Sequence, residues 1–263
     1  MTVRVERSAP RVAELVMDRP EARNALSTEQ ARRLGEAVRA LSTDPAVSAV
    51  VLASALPDAF CVGADLKERN RFDDDQLRAQ RTVFLEAFAA VRELDQPTVA
   101  AVGGYALGGG YELALSCDLI VAAEGATLGL PEVGLGLVPG GGGTQLLTRR
   151  VGRNRALDLV LTGRRVDAAE AYALGLVDRL VPVGTARAAA RELAAEIARH
   201  SPVSLQAAKR AVRDGFEADL ATGLTLEDQA WHEAAFSADR REGIAAFNAK
   251  RTPRWPSWGG SDG

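Results

Sequence analysis

Short apolar runs bounded by turn residues alternate along this chain with longer stretches of helical period, and that alternation confines it to an α/β architecture. Val12 to Met17 and Ala49 to Ala53 read as strands, the second bounded by Asp44-Pro45 and by Pro57. The segment between them is predicted as a helix. Ser27 with Gln30 has the pattern of a capping box, and Ala31, Leu34, Val38 and Leu41 recur on one face. A second helix is predicted over Gln76 to Leu94, with Leu77, Phe84, Phe88 and Val91 on one stripe and Pro97 closing it off. A strand from Thr98 to Val102 follows. Asp167 with Glu170 marks another capping box, Gly175 a C-terminal cap, and Leu176 to Val181 a last strand. From Thr185 onward the sequence is Ala-rich and amphipathic, with Ser201-Pro202 as an N-cap followed by a first-turn proline. This shift divides the chain into a core over residues 1–200 and an all-helical region over 201–263 suited to packing or oligomerisation.

Charge and residue type then exclude several classes of function. A formal net charge of −3 lacks the basic excess that holds nucleic acid, so nucleic acid is not expected as a partner. Two cysteines, Cys61 and Cys117, cannot build a disulfide framework, and a reducing cytoplasm is the expected home. Both read as packing residues. The first ten residues alternate polar and apolar and lack the continuous apolar segment of a signal peptide. The weakly polar stretch from Val99 to Ala123 is interrupted by Glu112 and Asp118, both expensive in a bilayer, so it reads as buried core and no membrane is expected. His200 and His232 stand alone and outside any ligand spacing, so no metal site is expected. No G-K-[ST] or G-x-S-x-G is present, and Pro139 sits inside the only approximation to a dinucleotide fingerprint, Gly134, Gly136 and Gly140.

What remains is glycine and two glutamates. Gly103 to Gly110 and Gly134 to Gly143 are dense in glycine inside the most apolar third of the chain, which suggests tight turns or close approach to a ligand. Glu112 follows a glycine turn that opens a helix, and Glu132 follows Pro131 in an apolar, glycine-rich loop. Glu112 could simply complement a helix N-terminus and Glu132 could be a solvated loop residue. Alternatively, two carboxylates in apolar surroundings suit acid–base work, because desolvation raises a carboxyl pKa and lets one be protonated while the other is not. The residues alone leave both readings open.

Four blocks in order resemble the enoyl-CoA hydratase/isomerase (crotonase) family: Arg19 to Leu26, Ala59 to Leu66, Gly104 to Leu113, and Pro131 to Gly140. Gly143-Thr144-Gln145 and Leu161-Thr162-Gly163 continue the likeness. The resemblance implies a spiral of ββα units with C-terminal helices that pack in a homotrimer, often paired into a homohexamer. It implies an acyl-CoA thioester as substrate, with coenzyme A part of that substrate and no separate cofactor. The thioester oxygen would accept hydrogen bonds from the backbone amides of Ala64 and Gly109, donors worth ~3–4 kcal/mol of barrier each.

By the same resemblance Glu112 would activate water for attack on the β-carbon, and Glu132 would deliver a proton to the α-carbon. Keeping both glutamates favours hydration over isomerisation, over other reactions on this scaffold, and over a non-catalytic CoA- or RNA-binding member. Arg23, Ala25, Val62, Asp65 and Leu66 lie where the family holds the CoA nucleotide and pantetheine. Val62 and Tyr111 are bulky for their places and would trim the pocket, while the charged stretch after Leu66 would border the acyl end. Arg149, Arg150, Arg153 and Arg155 form either a phosphate-attracting group or a solvated helix face. The tail Arg254-Trp255-Pro256-Ser257-Trp258, then Gly-Gly-Ser-Asp-Gly, would cover a neighbouring subunit or be partly disordered.

Overall fold

A computed structural model describes residues 2–258. The chain opens with an antiparallel hairpin of β1 (Val3–Ala9) and β2 (Val12–Met17), turned at Arg11 with a left-handed φ of 61°. Helix α1 (Thr28–Ser42) follows. Its N-cap Ser27 accepts from the Gln30 amide, but the reciprocal half of the expected capping box is missing, because the buried Gln30 side chain has no partner. Next come β3 (Ala49–Ser54), β4 (Ala59–Cys61), the one-turn α2 (Leu66–Arg69) and the long α3 (Asp74–Glu93). Both halves of a capping box are made at the start of α3, between Asp73 and Gln76. The Phe84, Phe88 and Val91 stripe of α3 is buried, whereas Leu77 departs from it at 40% exposure.

The pattern of two strands and a helix then repeats. It runs through β5 (Thr98–Val102), β6 (Tyr105–Leu107), α4 (Gly109–Leu115), β7 (Leu119–Ala123) and β8 (Thr127–Gly129), with α5 (Gly143–Val151) and α6 (Arg153–Thr162) behind it. β9 (Arg165–Asp167), α7 (Ala168–Leu174) and β10 (Arg179–Val181) complete the sheets. Two further expectations are corrected here. The last strand is shorter than Leu176 to Val181, and Glu170 turns its carboxylate to Arg164 instead of closing a capping box on Asp167.

There are two sheets, a large one ordered β1-β2-β3-β5-β7-β10 and a small one ordered β4-β6-β8-β9; in the pairs β3/β4, β5/β6 and β7/β8 the first strand enters the large sheet and the second the small one. Pairing is parallel except at β1–β2 and β8–β9. This is the spiral of ββα units that the motifs led one to expect. The inner strands β2, β3, β5 and β7 of the large sheet are buried on both faces, which explains why they read as largely apolar runs. On β3, Val50 and Leu52 face the main core, while Ala49, Val51 and Ala53 face a second layer.

Helix α8 (Ala186–Ala198) covers that second layer with Ala190, Leu193, Ala194 and Ala198. Glu14 on β2 pins it there. Fully buried, this carboxylate accepts from Arg187 Nε at 2.5 Å and from Arg191 Nε and Nη2 at 2.8 and 2.5 Å.

Three more helices follow, α9 (Pro202–Phe216), α10 (Leu220–Ala235) and α11 (Ala238–Asn248). Ser201 caps α9 as expected, and Lys209 ties it to the core through the Gln96 carbonyl and Asp118. These helices expose Phe216, Leu220, Leu224, Trp231, Phe236 and Phe247. The aromatic tail packs on its own chain: Trp255 Nε1 donates to the Arg199 carbonyl, and Arg11 lies 4.1 Å from the Trp258 ring. The Gly-Gly-Ser-Asp-Gly end lies outside the described residues. No helix among the described residues is long and apolar enough to cross a membrane.

Candidate active site

Strand β6 runs into α4 through Gly108, whose φ is +53°, and the chain then drops against β4. A Cβ on Gly110 would lie 2.0 Å from the Cys61 carbonyl oxygen, so only glycine lets these segments meet. The meeting brings two amides together. A Cβ built on Gly63 would lie 3.4 Å from the Gly109 nitrogen, and one built on Gly109 would lie 3.8 Å from the Ala64 nitrogen.

Neither amide is committed elsewhere in the described structure. The Gly63–Asp65 turn is clamped by Leu26 N to Gly63 O (2.7 Å) and Asp65 N to Leu26 O (2.9 Å), which leaves the Ala64 amide between them. Gly109 opens α4, where an N–H has no partner within the helix.

Below this turn lies a polar scaffold that joins Asp65 to Arg19 and Asn24, to neither of which the motifs assign a role. Asn24, buried and at φ 57°, accepts from Arg19 N and donates to Ser54 Oγ and Phe60 O. Arg19 donates to the Ala25 carbonyl and to Asp65, each at 2.7 Å. Asp65 in turn caps α2 by accepting from the Lys67 and Glu68 amides. Its carboxyl is held below the usual range: burial works against the charge, but Arg19 and the two amides outweigh it.

A cleft of about 770 Å³ opens over the two amides and contains both glutamates. Glu112, on the first turn of α4, is buried, and its Oε1 accepts from the amides of Gly141 (2.6 Å) and Gly143 (2.8 Å). Burial pushes its carboxyl pKa up, while those two amides and the Arg81 charge favour the ionised form. Glu132 sits on a single 3₁₀ turn, Pro131–Leu135, and its Oε2 is buried without a hydrogen-bond partner. Desolvation pushes this carboxyl up to about 7; the Glu112 charge adds to the rise and Arg69 opposes it. The two carboxyls therefore share a cleft but differ in environment, one anchored by the amides of Gly141 and Gly143 and the other with a buried oxygen that has no partner.

The remaining predicted residues divide. Val62 and Leu66 line the cleft. Asp65 and Ala25 lie beneath the wall in the scaffold, and Arg23 is exposed at the surface, 3.6 Å from Asp58. Tyr111 does not trim the pocket: it is fully buried and its hydroxyl donates to the Leu176 carbonyl at 3.4 Å, because a first-turn side chain one position from Glu112 points to another face of α4. Arg149 and Arg150 are engaged by Glu217 and Asp178 respectively, while Arg153 and Arg155 are exposed on α6. Both cysteines are buried, and desolvation pushes each thiol up to about 12. Arg69, Phe84 and Phe88 are cleft residues the motifs did not assign.

A ββα spiral at TM-score 0.96 to a solved structure makes this a crotonase-fold protein; that structure, enoyl-CoA hydratase from Bacillus anthracis, is 40% identical, with 98% of this chain and 100% of that one covered. The chain belongs to the enoyl-CoA hydratase/isomerase family, whose model matches residues 7–258. Among its relatives, YngF of Bacillus subtilis, named for enoyl-CoA hydratase/isomerase, is 44% identical over 91% of this chain and 92% of its own length. The probable enoyl-CoA hydratase echA8 of Mycobacterium bovis is 42% identical over 97% of both chains.

Proposed function

We propose that this protein adds water across the double bond of a trans-2-enoyl-CoA to give the 3-hydroxyacyl-CoA. What carries the proposal is the unlike pair of carboxyls, Glu112 and Glu132, in one cleft beside the adjacent amides of Ala64 and Gly109. The thioester oxygen accepts from those two amides, which stabilise the negative charge that develops on it as the β-carbon is attacked. The start of α4 adds its positive end.

Glu112 is suited to be the base. Its two amide donors aim it and offset part of the burial that raises its carboxyl, so it accepts a proton from water as the water oxygen bonds to the β-carbon. Glu132 is suited to be the acid. A carboxyl with a pKa of about 7 and an unpartnered oxygen holds a proton near neutrality and releases it to the α-carbon of the enolate. The net change is one water added: hydroxyl to the β-carbon, hydrogen to the α-carbon. Return of the proton from Glu112 to Glu132 restores the starting state.

Val62 and Leu66 give the pantetheine arm an apolar wall, Ala25 and Asp65 hold that wall in place, and the exposed Arg23, paired with Asp58, is the cation that meets the CoA phosphates. The apolar residues exposed on α9 to α11 suit residues 201–263 to a homotrimer or homohexamer. Two buried thiols suit the reducing cytoplasm. The test is the ultraviolet absorbance of the conjugated enoyl thioester. It falls when protein meets short-chain enoyl-CoA if the proposal holds, and persistent absorbance with short, branched and carboxylate-bearing enoyl-CoAs alike refutes it.

A further inference from the structure

The cleft carries positive charge that the hydration step does not use. Arg69, Arg78 and Arg81 all line it, alongside Leu66, Leu77 and Phe84. They are not equivalent. Arg78 is exposed and paired with Asp75 at 2.6 Å, and Arg81 is exposed and donates to the Gly140 carbonyl. Arg69 is half-buried. Its Nε donates to Gln80 Oε1 at 2.7 Å, its guanidinium lies 5.2 Å from the Phe84 ring, and no carboxylate among the described residues forms an ion pair with it.

That is a costly arrangement for an empty cleft. Desolvation and the nearby Arg81 charge both press on the Arg69 guanidinium, while Glu112, Glu68 and Glu132 support it only at a distance. Of these, Glu68 already accepts from the Thr28 amide and from Gln80. An aliphatic acyl tail would deepen the burial of the cation and give nothing back. A carboxylate would neutralise it, and with Nε tied to Gln80 the two terminal nitrogens remain to grip one in a forked geometry.

The position of Arg69 shows which part of the substrate it meets. It lines the same cleft as Glu112 and Glu132, the groups that on the hydratase reading face the β- and α-carbons, and its charge acts on both. The CoA phosphates lie a whole pantetheine arm away from those carbons, so the anion in reach of Arg69 belongs to the acyl group, a short way beyond the β-carbon. Resting on the hydratase reading above, we propose that the preferred substrates are enoyl-CoA thioesters whose short acyl chain ends in a carboxylate, with Arg69 as the specificity-determining residue and Arg81 in support.

The probes are glutaconyl-CoA, whose carboxylate stands one methylene past the β-carbon, crotonyl-CoA and hex-2-enoyl-CoA, with glutaryl-CoA and butyryl-CoA as saturated ligands that cannot turn over. Wild-type protein is expected to show a higher kcat/KM for glutaconyl-CoA than for the other two. Arg69→Gln is expected to lower kcat/KM for glutaconyl-CoA roughly tenfold to hundredfold more than for crotonyl-CoA, and Arg69→Lys to recover part of that difference. By calorimetry, glutaryl-CoA should bind at least roughly tenfold tighter than butyryl-CoA, with Arg69→Gln abolishing the gap.

Two results distinguish this inference from the reading beneath it. Hydration of crotonyl- and hexenoyl-CoA in preference to glutaconyl-CoA, with no tighter binding of glutaryl-CoA, overturns the carboxylate preference and leaves hydration standing. Arg69-dependent preference for glutaryl-CoA without hydration of any enoyl-CoA supports the carboxylate site and removes the hydratase assignment.

Discussion

Replacing Glu132 by glutamine should remove activity and at the same time make the folded protein more stable at neutral pH and above. The native carboxyl is pushed from 4.5 up to about 7. At about 1.36 kcal/mol per pH unit this displacement corresponds to an upper bound of about 3 kcal/mol against the ionised fold. The group is only partly buried, and solvent screening reduces the figure to about 1–2 kcal/mol. The sign follows from which state holds the proton. Between pH 4.5 and about 7 the unfolded chain gives up its proton while the folded chain keeps it, so the wild type loses stability as pH rises through that window. Glutamine does not titrate. Glu132→Gln should therefore match the wild type at about pH 4 and exceed it at about pH 8 by about 1–2 kcal/mol, or about 2–6 °C in Tm for a chain of this size. Thermal unfolding followed by circular dichroism at both pH values, at one protein concentration because assembly is coupled to folding, measures it. Equal Tm values at the higher pH, or the same gain at both, would refute the claim that burial strains this carboxyl.

The other expectations concern turnover and packing. Wild-type kcat/KM should decline as pH rises through about 7, where Glu132 loses its proton; a profile flat across that range removes it as the acid. Glu112→Gln should lower turnover by ~10²–10⁴ with an unaltered circular dichroism spectrum, and a loss under about tenfold contradicts its role as base. Gly109→Pro deletes one amide donor at the first position of α4, where proline is tolerated, and should cost ~10²–10³ in kcat; near-wild-type turnover would count against that amide. Glu14→Ala leaves Arg187 and Arg191 without their shared carboxylate beneath α8 and should lose about 3 kcal/mol, read from the urea midpoint; an unchanged midpoint would show that α8 is held by its alanine face alone.

Local pattern carried much of the fold. Ser27, Asp167 and Ser201 cap the helices they were expected to start, and the apolar runs at Val12, Ala49 and Thr98 became adjacent strands of one sheet. The family, the ββα spiral and the two glutamates were legible because motif blocks and periodicity are properties of neighbouring residues. Misreadings arose where a side chain had a choice of partners. Gln30 and Glu170 match the capping-box pattern, yet one side chain lies buried without a partner and the other pairs with Arg164. Arg149 and Arg150, open to reading as a phosphate-attracting group or as a solvated helix face, are instead paired by the fold with Glu217 and Asp178.

The amino-acid order by itself determined the element types, the glycine turn at Gly108–Gly110 and the presence of two acidic residues in apolar surroundings, since each depends only on a residue and its near neighbours. The tertiary structure alone decided what those carboxyls are. Glu112 is anchored by Gly141 and Gly143, about thirty positions away, while among the described residues Glu132 Oε2 is left without a hydrogen-bond partner and Arg69 without an ion pair. Desolvation and charge act through space, so the difference between the two glutamates exists only once distant segments have packed around them.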